Sequence, residues 1–289
     1  MRGKTLLAVG LAGTLGVVLS LPADAQMRTS GQIVQPRASL GMVGYGPTTL
    51  FTVPRAQTLG IGNNIVSTGV LLGGGSGFLG VPGIGAGTSA NSVQLGTQLG
   101  ISDNFQLDMG IGGLNMGPTW AGRLNLAGKW GFLQEDRGAF ASLAGLAGGI
   151  LSVDPNGVPN LGLQLGVPIS KIFPFGMDSY FGLSLYPNYN LGVFQPASLL
   201  PGGAIPTPSN FFALGGGMDL AIGPAFHLIA DTNVGLAGVT GTFTQTNLGV
   251  RYAFTPTFLA DAFVGFNTGA GLTVMQTAPS LGVAAHWGF

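Results

Sequence analysis

From Val93 onward the chain repeats one local pattern, a large apolar side chain at every second position with Gly, Ala or a polar residue between. Val93, Leu95, Leu99 and Ile101 alternate with Gln94, Gly96, Gln98 and Gly100; after Ser102-Asp103-Asn104, Phe105, Leu107, Met109 and Ile111 alternate with Gln106, Asp108 and Gly110. Successive side chains of an extended strand point to opposite faces, so each segment of this kind has one apolar face and one small or polar face. Two such segments joined by three turn-forming residues predict a hairpin.

The period recurs along the chain. It is carried by Trp120, Leu124, Leu126 and Trp130; by a small-residue segment near 138–150; by Leu161, Leu163, Leu165 and Val167; by Phe181, Leu183 and Leu185; and by Phe212, Leu214, Met218, Leu220 and Ile222. The clearest cases are Phe226, Leu228, Ala230, Val234 and Leu236; Leu248, Val250, Tyr252 and Phe254; Phe258, Ala260, Ala262, Val264 and Phe266; and Leu281, Val283, Ala285, Trp287 and Phe289. That makes eleven segments, and a twelfth is expected within Thr58–Leu72, where Asn63-Asn64 blurs the pattern.

Composition decides which face turns outward. Charged residues are 7% of the chain, 46% are hydrophobic, and the mean hydropathy is +0.47, whereas an ordinary soluble domain is about 25% charged. A water-soluble globule could not cover itself with so little charge. Lipid, in turn, accepts only helices or closed barrels, which satisfy their own backbone groups. Spanning helices fail on continuity: the stretch 211–230 is broken by Gly215-Gly216-Gly217, Asp219, Pro224 and His227, and 53 glycines lower helix propensity throughout. The fold expected is therefore all-β, a transmembrane antiparallel up-and-down barrel of about twelve strands.

Connections and charges agree with this fold. Residues 57–289 shared among twelve strands leave about nineteen residues for each strand and its connection, enough for strands of about ten. With both ends of the barrel on the periplasmic side, 102–104, 223–225 and 255–257 become short turns there, and 73–91, 191–209 and 268–279 become long outer loops. Residues 131–138 and 168–179 are long for tight turns. Asp108, Arg123, Lys129, Asp219, Asp231, Arg251 and Asp261 all stand opposite in parity to the large apolar residues. A charge on the lipid face at mid-depth costs about 2–4 kcal/mol, so these seven are expected to line the lumen. The other charges, Lys171 and Glu135 among them, are read as lying in turns or the N-terminal segment. Trp120 and Trp130, ten residues apart on the lipid face, are placed to join the two aromatic girdles.

The N-terminus reads as an export signal. Arg2 and Lys4 precede an apolar stretch that runs to Leu19, followed by Pro22 and Ala23-Asp24-Ala25, which predicts cleavage after Ala25. Loss of Arg2, Lys4 and Asp24 takes ten basic and ten acidic residues to eight and nine. That balance argues against nucleic acid as a partner. Residues 26–56, with Pro36, Pro47 and Pro54, are read as a periplasmic or lumen-entering segment, more a flexible tail than a plug. Residues 57–289 form the barrel.

The terminal Leu281-Gly282-Val283-Ala284-Ala285-His286-Trp287-Gly288-Phe289 resembles the C-terminal assembly signal of bacterial outer-membrane barrels of porin-like type, with Trp287 and Phe289 as its aromatic elements. The resemblance covers these nine residues and implies insertion into outer-membrane lipid by the barrel assembly machinery. It does not select a family.

Chemical motifs are sparse. Gly75-Ser76-Gly77-Phe78-Leu79-Gly80 has the spacing of a dinucleotide loop but lacks the flanking strand and helix, and in so glycine-rich a chain it is a chance match. Zero cysteines exclude disulfides and thiolate metal sites. His227 and His286 both have lumenal parity and are read as hydrated wall residues. Asp231, four residues after His227, stands about 13 Å away along a strand, too far to pair with it. No catalytic residues, metal or cofactor are expected. The function expected is passive diffusion of small polar or weakly charged solutes across the bacterial outer membrane, with a structural or surface-binding barrel acting through its long loops as the alternative.

Overall fold

The computed structural model describes residues 48, 50–72, 91–116, 119–153, 159–174, 179–194, 210–223, 225–237, 241–271 and 274–289. Apart from Phe289, they fall within one compact unit spanning Pro36–Gly288. Thirteen strand segments follow one another: β1 Asn64–Leu72, β2 Asn91–Ser102, β3 Phe105–Met116, β4 Thr119–Leu133, β5 Ser142–Val153, β6 Pro159–Gly166 and β7 Ile169–Pro174. After these come β8 Ser179–Phe194, β9 Asn210–Ile222, β10 Phe226–Ala237, β11 Gly241–Thr255, β12 Phe258–Gly271 and β13 Val274–Gly288. Among the described residues the only helix is a single 3-10 turn, Glu135–Arg137.

Each strand pairs antiparallel with its neighbours, and β1 pairs β13 from Ile65↔Gly288 to Leu72↔Leu281, so the sheet closes on itself. β6 and β7 both lie between β5 and β8 and together form one stave, which makes twelve staves in all. Pro168, which has no N–H to donate, interrupts that stave. Main-chain bonds from Ala144 N–H to the Pro168 carbonyl (3.0 Å) and from Val167 N–H to the Pro187 carbonyl (2.9 Å) keep the wall continuous across the break.

The alternation sorts every described stave in one sense. Trp130, Leu248, Phe254 and Ile111 are more than half exposed on the outside, while Lys129, Asn247, Arg251, Gln94 and His286 are buried inside. This is the inverse of a soluble protein, and only a hydrocarbon solvent makes it stable. At the rim of the short turns the outer face turns aromatic: Phe105 meets Trp130 edge-on at 5.8 Å, and Tyr252, Phe254, Phe258 and Trp287 form a chain of ring contacts. Trp130 thus stands where an aromatic girdle is expected; the Trp120 side chain lies outside the described residues.

Two features depart from the sequence reading. Residues 268–279 are not a long loop, because β12 runs to Gly271 and β13 starts at Val274, with Thr268↔Thr277 and Gly269↔Gln276 paired. Thr268-Gly269-Ala270-Gly271 and Gln276-Thr277-Ala278-Pro279 carry no large apolar side chain at alternate positions, so the alternation disappears although the ladder continues. Lys171 belongs to β7 rather than a turn, and it reaches the rim, where its ammonium meets Glu135 at 2.7 Å and lies 4.4 Å over the Phe140 ring. The first strand, Asn64–Leu72, falls within the expected Thr58–Leu72, and the residues before it do something else.

Candidate functional site

Thr48 and residues 50–59 lie inside the barrel. Leu50, Phe51, Val53, Arg55 and Ala56 are at most 2% exposed, and their contacts come from inward-facing residues of strands all around the wall. The segment turns back on itself through two main-chain bonds, Leu50 N–H to Val53 carbonyl (3.0 Å) and Arg55 N–H to Thr48 carbonyl (2.8 Å). Of the expected N-terminal segment 26–56, this is the part the structure describes; residues 26–47 and the match at Gly75–Gly80 lie outside the described residues.

The apex of the turn is fixed to one carboxylate. Asp231 Oδ2, on β10, accepts hydrogen bonds from the backbone N–H of Phe51 (2.9 Å), Thr52 (2.5 Å) and Val53 (3.0 Å), and from the Thr52 hydroxyl (3.1 Å). Asp231 Oδ1 accepts from Asn247 Nδ2 at 2.8 Å. Three consecutive amides converging on one carboxylate oxygen make a nest, and the Thr52 hydroxyl and Asn247 bring the donors on Asp231 to five. Glycine makes the approach possible: a Cβ on Gly217 would stand 2.3 Å from Leu50 Cδ1, and one on Gly215 3.0 Å from Val53 Cγ2. The bare inner face of β9 at these two positions is therefore the bay in which the turn sits.

Charged bonds hold the returning limb. Arg55 donates to Asp219 Oδ2 at 2.6 Å, and His227 Nδ1 lies 2.9 Å from Asp219 Oδ1. Burial lowers the Arg55 pKa to about 10, against the opposing pull of Asp219, which leaves it a cation at neutral pH. Lys129 donates to the Arg55 carbonyl (3.3 Å), Gln134 to the Ala56 carbonyl (3.1 Å), and Ser170 and Gln106 accept from the Ala56 and Leu59 amides (both 2.9 Å). The wall thus uses side chains to satisfy a backbone that has no ladder of its own.

An apolar island completes the seat. Leu50, Phe51 and Val53 pack with Leu71, Tyr186, Ile229 and Phe263, and the Phe51 and Phe263 rings stack at 4.6 Å. The sequence reading took the inward parity as small and polar, and missed these four wall residues. Their signal was legible: Leu71, Ile229 and Phe263 are large apolar residues on the polar face of otherwise regular strands.

Of the seven charges assigned inward parity, Asp108, Lys129, Asp219, Asp231, Arg251 and Asp261 face the interior and are buried. They meet partners in the wall and the inner segment: Arg251 grips Asp261 with Nε and Nη2, both at 2.7 Å, and Gln106 donates to Asp108 Oδ1 at 2.5 Å. Arg123 stands opposite Gly112 and Ser152 in β4, and its side chain lies outside the described residues. The two histidines, expected to be hydrated, are instead buried in polar pairs. His286 Nδ1 lies 2.8 Å from Ser67 Oγ, and its Nε2 lies 3.2 Å from Asp261 Oδ2. This Ser-His-Asp order has the composition of a hydrolytic triad, but Ser67 is 0% exposed and Asp261 is already engaged by Arg251. In this conformation the three tie β1, β12 and β13 together near the seam. Trp287 faces outward, and Phe289 follows β13 at the chain end.

No protein-family model matches the chain, and no curated protein matches it in sequence. Solved structures match its fold. The COG4313 outer membrane channel from Pseudomonas putida F1 superposes with a TM-score of 0.56 at 10% identity, covering 81% of this chain and 98% of the other. The NanC porin superposes with a TM-score of 0.50 at 12% identity, covering 77% and 98%. The fold is that of a porin-like outer-membrane barrel. At these identities the likeness concerns the architecture, and what the barrel carries depends on its own lumen.

Proposed function

We propose that the chain, exported and cut after Ala25, is inserted by the barrel assembly machinery into outer-membrane lipid. There it acts as a diffusion channel for small polar or weakly charged solutes. The observation that carries this reading is the inverted wall, apolar towards lipid and lined within by Gln, Asn, Ser, Asp, Lys and Arg. A barrel needing only a scaffold has no use for so many interior charges, each of which must be hydrated or paired. That the solved barrels of like fold include a named channel and a porin supports the same reading. Asp108, Arg123, Lys129, Asp219, Asp231, Arg251 and Asp261 are then the charges that line the route. Trp287 and Phe289 are the residues on which assembly depends. Both histidines are tied into interior pairs, which counts against a role for either as a catalytic base.

The test is conductance in planar bilayers of the chain from residue 26, beside a form that also lacks 26–56. Ion flow through verified, heat-modifiable inserts is expected. Silence from both forms would contradict the channel reading and turn attention to the connections 73–90 and 195–209 as binding surfaces.

A further inference from the structure

The wall and the inner segment are bonded in different ways. Every stave is closed by its own ladder, including the β1–β13 seam, so the wall does not depend on Thr48–Leu59 for its backbone bonds. The segment has a self-contained turn, and wall side chains hold it. It joins β1 through Gly60-Ile61-Gly62, where Gly62 has a φ of 77°. The entry to β1 is pinned by bonds between Gly62 N–H and the Gly100 carbonyl and between Gly100 N–H and the Asn63 carbonyl. The Gly60 carbonyl accepts from Asn63 N–H (3.1 Å), so the turn belongs to the anchor, and a body held by side chains that meets a fixed anchor at the Leu59–Gly60 link is the arrangement of a hinged element.

Resting on the channel reading, we infer that residues 50–59 are a gate: they close the lumen at the level of Asp231 and open it when the Phe51, Thr52 and Val53 amides leave that carboxylate and Leu50 and Val53 leave the bay over Gly215 and Gly217. Opening withdraws Arg55 from Asp219. The described charged side chains then left facing the lumen are Lys129 and Arg251 against Asp108, Asp219, Asp231 and Asp261. The open throat carries excess negative charge and passes cations ahead of anions.

The chain contains no cysteine, so Val53→Cys with Gly215→Cys introduces a single pair. The 3.0 Å from a Cβ on Gly215 to Val53 Cγ2 is about the ~3 Å between a Cβ and the far sulfur of a disulfide. Asn233 Oδ1, 2.5 Å from that Cβ, lies at the end of a side chain that can rotate away. The experiment records single channels from the chain starting at residue 26 with this pair, oxidised and then reduced, and from Asp231→Asn. Conduction is expected to fall at least about tenfold in the oxidised pair relative to the reduced one. Asp231→Asn, which replaces the carboxylate that gathers the Phe51, Thr52 and Val53 amides with an amide whose NH2 cannot accept, is expected to raise open probability about tenfold. The reversal potential of the reduced pair in a salt gradient is expected to show cation preference. Equal conduction in oxidised and reduced protein, with the disulfide confirmed by mass, overturns the gate while leaving the channel; so does an unchanged open probability in Asp231→Asn. Anion preference overturns the acidic throat. Silence from every folded variant, Asp231→Asn included, sinks the channel reading itself and the gate with it.

Discussion

The wall and the segment it encloses solve the same problem, the satisfaction of backbone polar groups, in opposite ways. In the wall each N–H and C=O meets a neighbouring strand, so side chains are free to be chosen by solvent, apolar towards lipid and polar within. In Thr48–Leu59 the backbone meets carboxylates, amides and hydroxyls of the wall, so the identities of those side chains decide where the segment sits. The wall should therefore tolerate many substitutions that keep parity, and the segment should be sensitive to single polar changes across the lumen.

The largest effect is expected where an interior ion pair is broken from one side. Arg251→Met leaves Asp261 buried with only His286 beside it and removes the bond to the Leu50 carbonyl; a loss of about 3–5 kcal/mol is expected. Equilibrium unfolding in urea with lipid vesicles would measure it, and a loss below 1 kcal/mol would mean that water already reaches the pair. Next comes a breach of outer parity: Leu248→Arg places a cation on the lipid face and should cost about 2–4 kcal/mol in the same assay. If Asn247→Arg, on the inner face one residue away, costs no more than a few tenths as much, the segment does not fill the lumen there. The smallest effect belongs to the rim. Lys171→Gln breaks a partly exposed pair with Glu135 and should change stability by no more than about 1 kcal/mol; a larger loss would place Lys171 deeper in lipid than its contacts imply.

The same contrast explains what could be read in the sequence. Strand alternation is a local signal, repeated in every stave, and it placed Leu107, Leu163, Met218, Val264 and Val283 on the outer face, where the structure has them. It gave out where the strands turn to Gly and Thr, so the ladder between β12 and β13 was taken for a loop. Nothing in Thr48–Leu59 itself predicts a buried turn, because its conformation depends on groups such as Asp231, Asp219 and Gln106 that are distant in sequence. The signal lay instead in the wall: Phe263, Ile229 and Leu71 break the polar parity of their strands, and Gly215-Gly216-Gly217 leaves a bare patch on β9. Apolar residues on a polar face, together with missing side chains nearby, mark the seat of something that packs there. Asp108, Lys129, Asp219, Asp231, Arg251 and Asp261 lie inside as parity placed them, but their pairing was beyond the pattern, since Arg55, which binds Asp219, comes from outside the strands.

The occupancy of the lumen by Thr48–Leu59 is tested most directly by chemical access. In a chain free of native cysteine, Val53→Cys and Ile61→Cys report respectively the seat of the turn and the rim, where Ile61 is 68% exposed. With folded protein in lipid vesicles, a water-soluble maleimide is expected to label position 53 at least about tenfold more slowly than position 61, since reaction at 53 must wait for local opening. Equal labelling rates at the two positions would contradict a segment seated inside the barrel.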